Sequence, residues 1–430
     1  MRILSYKDED FERARERFFV RRAEPTAPVK DLVGDVIEAV RRRGDAAVFQ
    51  YAERFDRVEL DPKTIVVTKR DLTAAEKKVE PSVKKALTAS YKNVTAFAKA
   101  SLREDWSMTN AQGAEIGEVF RPYQRVGCYV PGGTAPLVST AIMTVAIAAA
   151  AGCKEIVVCT PCSQERKVDP NLLHALQMAG ATEIYKIGGA QAVAAMALGT
   201  KTIAPVSKIF GPGNAFVVEA KRQLFGSVSI DLLPGPSEIL ILADTSANPK
   251  WIAADLLAQA EHGGDSIVGL LTDSEKLLDQ VEKELIAQAK ELSRDEPVEA
   301  VMKKGCFLVH VKSLDQGVEM INSFAPEHLS LMTRKEKTLL PKITTAGAIF
   351  VGNHAPVAVG DFLAGPSHTL PTGGAGASFS GLTVDQFQRR TSIIRMDEDA
   401  MKKSAPIAKQ FAEIEGLDGH GKACAFRGDK

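Results

Sequence analysis

A short apolar segment, a turn and a helical segment recur four times between Arg125 and Ile230, and few folds accommodate that rhythm. RVGCYV runs into Pro131-Gly132-Gly133 and the small-residue helical segment STAIMTVAIAAAAG. EIVVC is followed by a helical segment from about Asp169. EIYKI meets Gly188-Gly189 and a helix from Ala190. KIF meets Gly211-Pro212-Gly213-Asn214 and a further helix, and VSI closes the series. This order predicts a doubly wound parallel sheet. Such a sheet binds ligands beyond the carboxyl ends of its strands, where these turns lie. The G-x-G-x-x-G fingerprint of a pyrophosphate turn is absent from all of them. The glycines alone therefore fit either a cofactor site or plain backbone needs.

A second series follows. EILILAD, SIVGLLT, CFLVHV and AIFVG read as strands, with helices from Asn248 to about His262, from Asp273 to Leu292 and near Leu314 to Ser323. The first 60 residues read as helical: Asp31 caps a run ended by Gly44, and Asp45 restarts a helix with Ala47, Val48, Tyr51 and Phe55 on one face. A further helix is expected over roughly 82–100. Residues 360–380 read as a Gly/Pro-rich loop, and about 397–415 as helical. At 430 residues the chain has room for two to four domains. The expected class is α/β: two Rossmann-like doubly wound parallel-sheet domains with small helical N- and C-terminal segments.

Lys plus Arg and Asp plus Glu are 54 each, so no basic excess exists to neutralise nucleic-acid phosphates. The longest apolar stretch, Ala141 to Gly152, is too short for a bilayer, and the charged N-terminus has no signal-peptide core. A cytoplasmic enzyme, with neither nucleic acid nor membrane as partner, is the expectation. Six scattered cysteines make no disulfide framework. Cys159 and Cys162 form a C-x-x-C pair with no second pair at ligand spacing. Burial after an apolar strand is therefore favoured over a metal or redox role.

Chemistry concentrates in a few places. Gln259 and His262, at i and i+3, share one face near a helix end. Asp361 follows Gly360 in a loop after a strand, and His420 follows EGLDG. Together they form a mixed N/O set that suits Zn²⁺ or a neighbouring divalent metal, although an isolated i, i+3 pair is more often solvated or structural. Glu327-His328 follows Pro326 in an extended segment. There the two side chains are expected on opposite sides, able to divide two proton transfers or merely to occupy a surface turn. His174, in an amphipathic helix, reads as structural.

VGCYVPGGTAPL, GGAQAVAA, KIFGPGNAFV, GPSEILILAD, DLLAQAEHG, FAPEHL, VGDFLAGPSHTLPTGG and EGLDGH occur in one order over most of the chain. In that set and order the sequence resembles the histidinol dehydrogenase family. The resemblance implies oxidation of L-histidinol to L-histidine in two NAD⁺-dependent steps through a bound aldehyde, the last step of histidine biosynthesis. It implies one Zn²⁺ per site on Gln259, His262, Asp361 and His420, and a base pair at Glu327 and His328. It implies NAD⁺ contacts at Tyr129, Gln191 and Asn214. Substrate contacts are implied at Ser237, His368 and Glu415, together with His328 and the metal ligands. It further implies a homodimer whose tail completes the partner's site. The implied division is 1–25 helical and packed with the tail, 26–124 with 237–380 carrying metal and base, 125–236 binding NAD⁺, and 381–430 as a helical tail.

These roles are chemically coherent. Alcohol oxidation needs a base while hydride leaves, and aldehyde oxidation needs an activated water first. A related reading keeps the fold and oxidises a sulfonated propanediol, but Glu415 beside His420 suits a cationic substrate better. A zinc hydrolase would leave the nucleotide-like half without a purpose.

Overall fold

The computed structural model describes residues 1–19, 26–132, 136–293 and 295–428. Gly133 of the first turn, and 20–25 of the expected N-terminal segment, lie outside them.

In chain order the strands are β1 Arg2–Ser5, β2 Trp106–Thr109, β3 Glu115–Pro122, β4 Arg125–Tyr129, β5 Glu155–Thr160, β6 Glu183–Lys186 and β7 Lys208–Phe210. Then come β8 Ser229–Ile230, β9 Glu238–Ala243, β10 Ile267–Thr272, β11 Cys306–His310, β12 His328–Met332, β13 Ala348–Val351 and β14 Gln388–Arg395. The first repeat series forms a five-stranded parallel sheet in the order β6-β5-β4-β7-β8. The second forms a six-stranded parallel sheet, β1-β11-β10-β9-β12-β13. Both wind outward from a central strand and reverse, so each has a switch point: β4/β7 in one, β9/β12 in the other. The expected α/β class and paired doubly wound sheets are present. Every residue of β9 is buried, as the unbroken apolar run of a central parallel strand requires.

Several local expectations are corrected. Arg2–Ser5 is a strand, not helix, and pairs parallel with β11 from Arg2↔Phe307 to Ser5↔His310. Four residues at a sheet edge are too few to display a period. Likewise β14 interrupts the expected helical tail, pairing antiparallel with β3, and β2 completes a third sheet. β2 and β14 are largely exposed, β14 carrying three arginines, so no apolar alternation marks them. The helix over Ala27–Arg43 begins a turn before Asp31, with Pro28 in its first turn. Helix Asp45–Tyr51 runs into a wider π turn, Ala52–Asp56, which shifts the register. Phe55 is therefore exposed, stacked on Tyr51 at 5.3 Å, instead of sharing the buried face.

The segment after β13 ties the two parallel sheets together. Ser367 Oγ donates to the Met143 carbonyl at 3.2 Å, and Phe387 stacks on Phe210 of β7 at 3.7 Å. Beyond it, helices Glu398–Glu415 and Asp418–Gly428 pack on each other. No helix among the described residues is long and apolar enough to cross a membrane.

Candidate active site

Glu327 stands immediately before β12 and His328 is its first residue. The expectation that they point to opposite sides does not hold, because strand alternation has not begun at Glu327. Ala325, in the left-handed region at φ 51°, and Pro326 turn the chain just before them. Both side chains converge on one residue at the start of β9. Glu327 Oε2 accepts from the Glu238 amide at 2.8 Å, and His328 Nδ1 lies 3.0 Å from the Glu238 carbonyl. Carboxylate and ring are 3.5 Å apart. A carbonyl can only accept, so Nδ1 carries the hydrogen and Nε2 is the working nitrogen. That nitrogen lies 3.5 Å from Asp361 Oδ1. Both residues are buried on a central strand, not placed at a surface turn. Burial pushes Glu327 up to about 7. Burial works against a charged His328, but the charges of Glu327 and Asp361 outweigh it and raise the ring to about 9.

Gln259 ends the crossover helix Pro249–Ala260 that returns from β9, and His262 lies in the turn beyond. Gln259 is only 1% exposed, yet neither atom of its carboxamide has a hydrogen-bond partner. An unsatisfied buried polar group costs about 1–3 kcal/mol, so a ligand for it is called for. Asp361 sits on the short helix Val357–Phe362, not in a loop. Burial works to raise its carboxyl, but His328, His368 and His262 together hold it below the usual carboxylate range. Asp361 thus lies within the electrostatic reach of three imidazoles, with His328 Nε2 at 3.5 Å. His368 Nε2 lies 3.2 Å from Thr140 Oγ1 on the other lobe, and burial holds the ring below its ordinary range. Ser237 immediately precedes β9, its carbonyl accepting from Ile267 N at 3.0 Å.

This group lies at the amino edge of the six-stranded sheet: starts of β9 and β12, ends of the helices that return from β9 and β13. The strand-end rule located ligands at the opposite edge. At the carboxyl edge of the five-stranded sheet a cavity of about 610 Å³ is lined by Tyr129, Gln191 and Asn214 together. Tyr129 ends β4, and its hydroxyl accepts from Gly189 N at 3.1 Å. Asn214 caps helix Ala215–Leu224, accepting from Phe216 N and Val217 N at 3.1 and 3.2 Å. Gln191 is in the first turn of Gly189–Leu198, with Oε1 buried and unpartnered. Cys159 is fully buried in β5, and Cys162 lines the same cavity.

Gly211 holds this edge in shape. It has φ 108°, and a β-carbon there would lie 2.1 Å from the Tyr129 carbonyl oxygen. The buried Lys221 donates to the Gly211 carbonyl at 2.9 Å and ion-pairs with Asp231, which accepts from Gly211 N at 2.7 Å. Gly211→Ala is expected to destabilise the fold by about 1–3 kcal/mol through overpacking and backbone strain. Urea unfolding of the purified variant measures the loss.

Two residues stand apart. Glu415 ends helix Glu398–Glu415 and His420 lies in Asp418–Gly428; both are exposed, away from Asp361. Among the described residues no group of three or more His, Cys, Asp or Glu side chains is placed to hold a metal. Sequence reasoning missed Glu238, whose backbone orients both Glu327 and His328 and whose Oε1 accepts from Gly373 N at 3.1 Å. A strand-start Glu within GPSE carries no signal of that role.

The histidinol dehydrogenase family model matches residues 20–428. The chain is 41% identical to histidinol dehydrogenase of Xylella fastidiosa strain Temecula1 over 430 residues, covering 99% of each. It is 42% identical to that of Rhizobium meliloti strain 1021 over 424 residues, covering 99% of this chain and 98% of the relative. The crystal structure of histidinol dehydrogenase from Elizabethkingia anophelis superposes with a TM-score of 0.94 at 33% identity, covering 99% of this chain and 98% of that one. With sequence and fold matched from end to end, the chain belongs to the histidinol dehydrogenase family.

Proposed function

We propose that this chain oxidises L-histidinol to L-histidine through histidinal, using zinc and two NAD⁺ per substrate, as a cytoplasmic homodimer. The observation that carries the reading is the convergence of Glu327 and His328 on Glu238, beside Asp361 and the unpartnered carboxamide of Gln259. Free cysteines throughout suit a reducing compartment.

Gln259, His262 and Asp361 would hold the zinc, with His420 as the fourth ligand, and their N/O donors suit that ion. Bound there, zinc supplies a fixed positive charge that orients the substrate's imidazole and amine. Tyr129, Gln191 and Asn214 would hold NAD⁺, which accepts hydride at each of the two steps. Around them the side chains do the proton work. His328 Nε2 takes the alcohol proton; its Nδ1–H, held by the Glu238 carbonyl, keeps the ring in the orientation that presents Nε2. Asp361, once holding a cation, would no longer favour a proton on the ring, and Nε2 would be available as a base. Glu327, raised toward neutral by burial, is suited to remove a proton from water, which then adds to the aldehyde. Ser237, His368 and Glu415 complete the substrate's surroundings.

The tail supports a shared site. Exposed Ile414 (74%) and Phe426 (77%) lie on the hairpin that carries Glu415 and His420, an apolar surface suited to a partner subunit. Purified protein incubated with histidinol and NAD⁺ is expected to reduce the cofactor. Reduction by a sulfonated propanediol but not by histidinol would overturn the substrate assignment.

Metal removal follows the same reasoning. Chelation is expected to abolish turnover while circular dichroism stays largely unchanged, because Gln259 and Asp361 sit on preformed helices of a large core. His262→Asn is expected to lower zinc content by metal analysis. Full occupancy in that variant would remove His262 from the ligand set.

A further inference from the structure

The cavity at the five-stranded sheet contains a carboxylate that the proton chemistry above does not use. In dinucleotide folds of this topology the acid that meets the ribose stands near the end of the second strand. Here that strand, β5, ends at Thr160 and continues as Pro161-Cys162, with no acid at hand. Instead Asp56, from the π turn Ala52–Asp56 of the N-terminal helical layer, is the one carboxylate among the described residues lining the cavity.

Its surroundings define what it can bind. Asp56 Oδ2 accepts from Gln191 Nε2 at 3.2 Å. Because the carboxylate can only accept, this contact fixes the amide's direction and leaves Oε1 of Gln191 as an acceptor. Gln191 is 1% exposed and that oxygen has no partner. Among the described residues Asp56 pairs with no cation, and burial holds its carboxyl above its ordinary range. Arg54 and Arg57 line the same cavity but are exposed, Arg54 lying over the Phe55 ring at 5.2 Å. The cavity thus presents the second oxygen of Asp56 as an acceptor, while Oε1 of Gln191 lies buried behind it. A carboxylate oxygen has two lone pairs and can accept from two neighbouring donors, and a vicinal diol is such a pair. A phosphate monoester offers acceptors and about −1.5 to −2 charges, and is repelled.

We infer that Asp56, held by Gln191, receives the 2′,3′-diol of a ribose of the dinucleotide and so selects NAD⁺ over NADP⁺. This rests on the reading that NAD⁺ occupies this cavity. Once the carboxylate is neutralised, Arg54 and Arg57 become the charges nearest a 2′-phosphate.

The test measures the Kd of NAD⁺ and NADP⁺ by calorimetry, beside kcat/KM of the zinc-loaded enzyme for each at saturating histidinol, in Asp56→Ser and the isosteric Asp56→Asn. The NAD⁺/NADP⁺ preference is expected to fall roughly 100-fold, about what one contact to a buried charge supports. A purely structural role would weaken both cofactors alike and leave the ratio unchanged; an unchanged ratio in both variants overturns the inference. Gln191→Ala and Asn214→Ala test the underlying reading separately. If they raise KM for NAD⁺ while the Asp56 variants keep the ratio, Asp56 alone is misassigned. If they leave KM for NAD⁺ unchanged, NAD⁺ does not bind here and both conclusions fall.

Discussion

His328→Asn is expected to reduce histidinol oxidation by about 10²–10⁴-fold, whereas Glu327→Gln is expected to leave the first oxidation largely intact and slow the second by a similar factor. The two side chains lie 3.5 Å apart and share Glu238 as a partner, so position alone does not separate their roles. Chemistry does. In the proposed two-step reaction only the second half needs an activated water, and only His328 directs a free nitrogen toward the carboxylate of Asp361. Asparagine can keep the contact to the Glu238 carbonyl while losing the basic nitrogen, and glutamine keeps the size of Glu327 without its charge. Supplying histidinal with NAD⁺ bypasses the first half. If Glu327→Gln oxidises histidinal at the unmodified rate, Glu327 is not the group that activates water. If His328→Asn still oxidises histidinol freely, the ring is not the base.

Mixing two inactive variants is expected to restore activity. Glu415 and His420 lie on a tail carried from the five-stranded sheet by the β14/β3 ladder, exposed and apart from Asp361. A two-fold dimer that docks each tail on its partner would complete both sites at once. A His328→Asn chain and a His420→Asn chain then form heterodimers with one doubly defective site and one intact site. Random exchange makes half the dimers mixed, so about a quarter of the original activity is expected. With sites built within single chains every site keeps one defect, and no recovery in proven heterodimers would refute the shared site.

The five-stranded sheet was legible because its information is local. Each apolar run, turn and helix between Arg125 and Ile230 lies close in sequence, and parallel strands buried on both faces leave continuous apolar segments. The strand ends holding Tyr129, Gln191 and Asn214 could be read for the same reason. The exposed strand β14 leaves no such trace, since its partner β3 lies far along the chain and its side chains face water.

The site beside the second sheet shows the limit more sharply. Sequence by itself determined the residue types that can do this chemistry and, through the order of the motifs, the family. It did not determine that Glu327 and His328 converge, because that depends on where β12 begins and on the peptide of Glu238, 89 residues away in sequence from Glu327. Nor did it determine that Glu327, His328, Gln259 and Asp361 gather at the amino edge, which is decided by where the crossover helices from β9 and β13 end. The Asp56–Gln191 contact, spanning 135 residues, belongs to the same class. Periodicity and turn chemistry act over a few residues, whereas these contacts arise only when distant segments pack, so only the tertiary structure decided them.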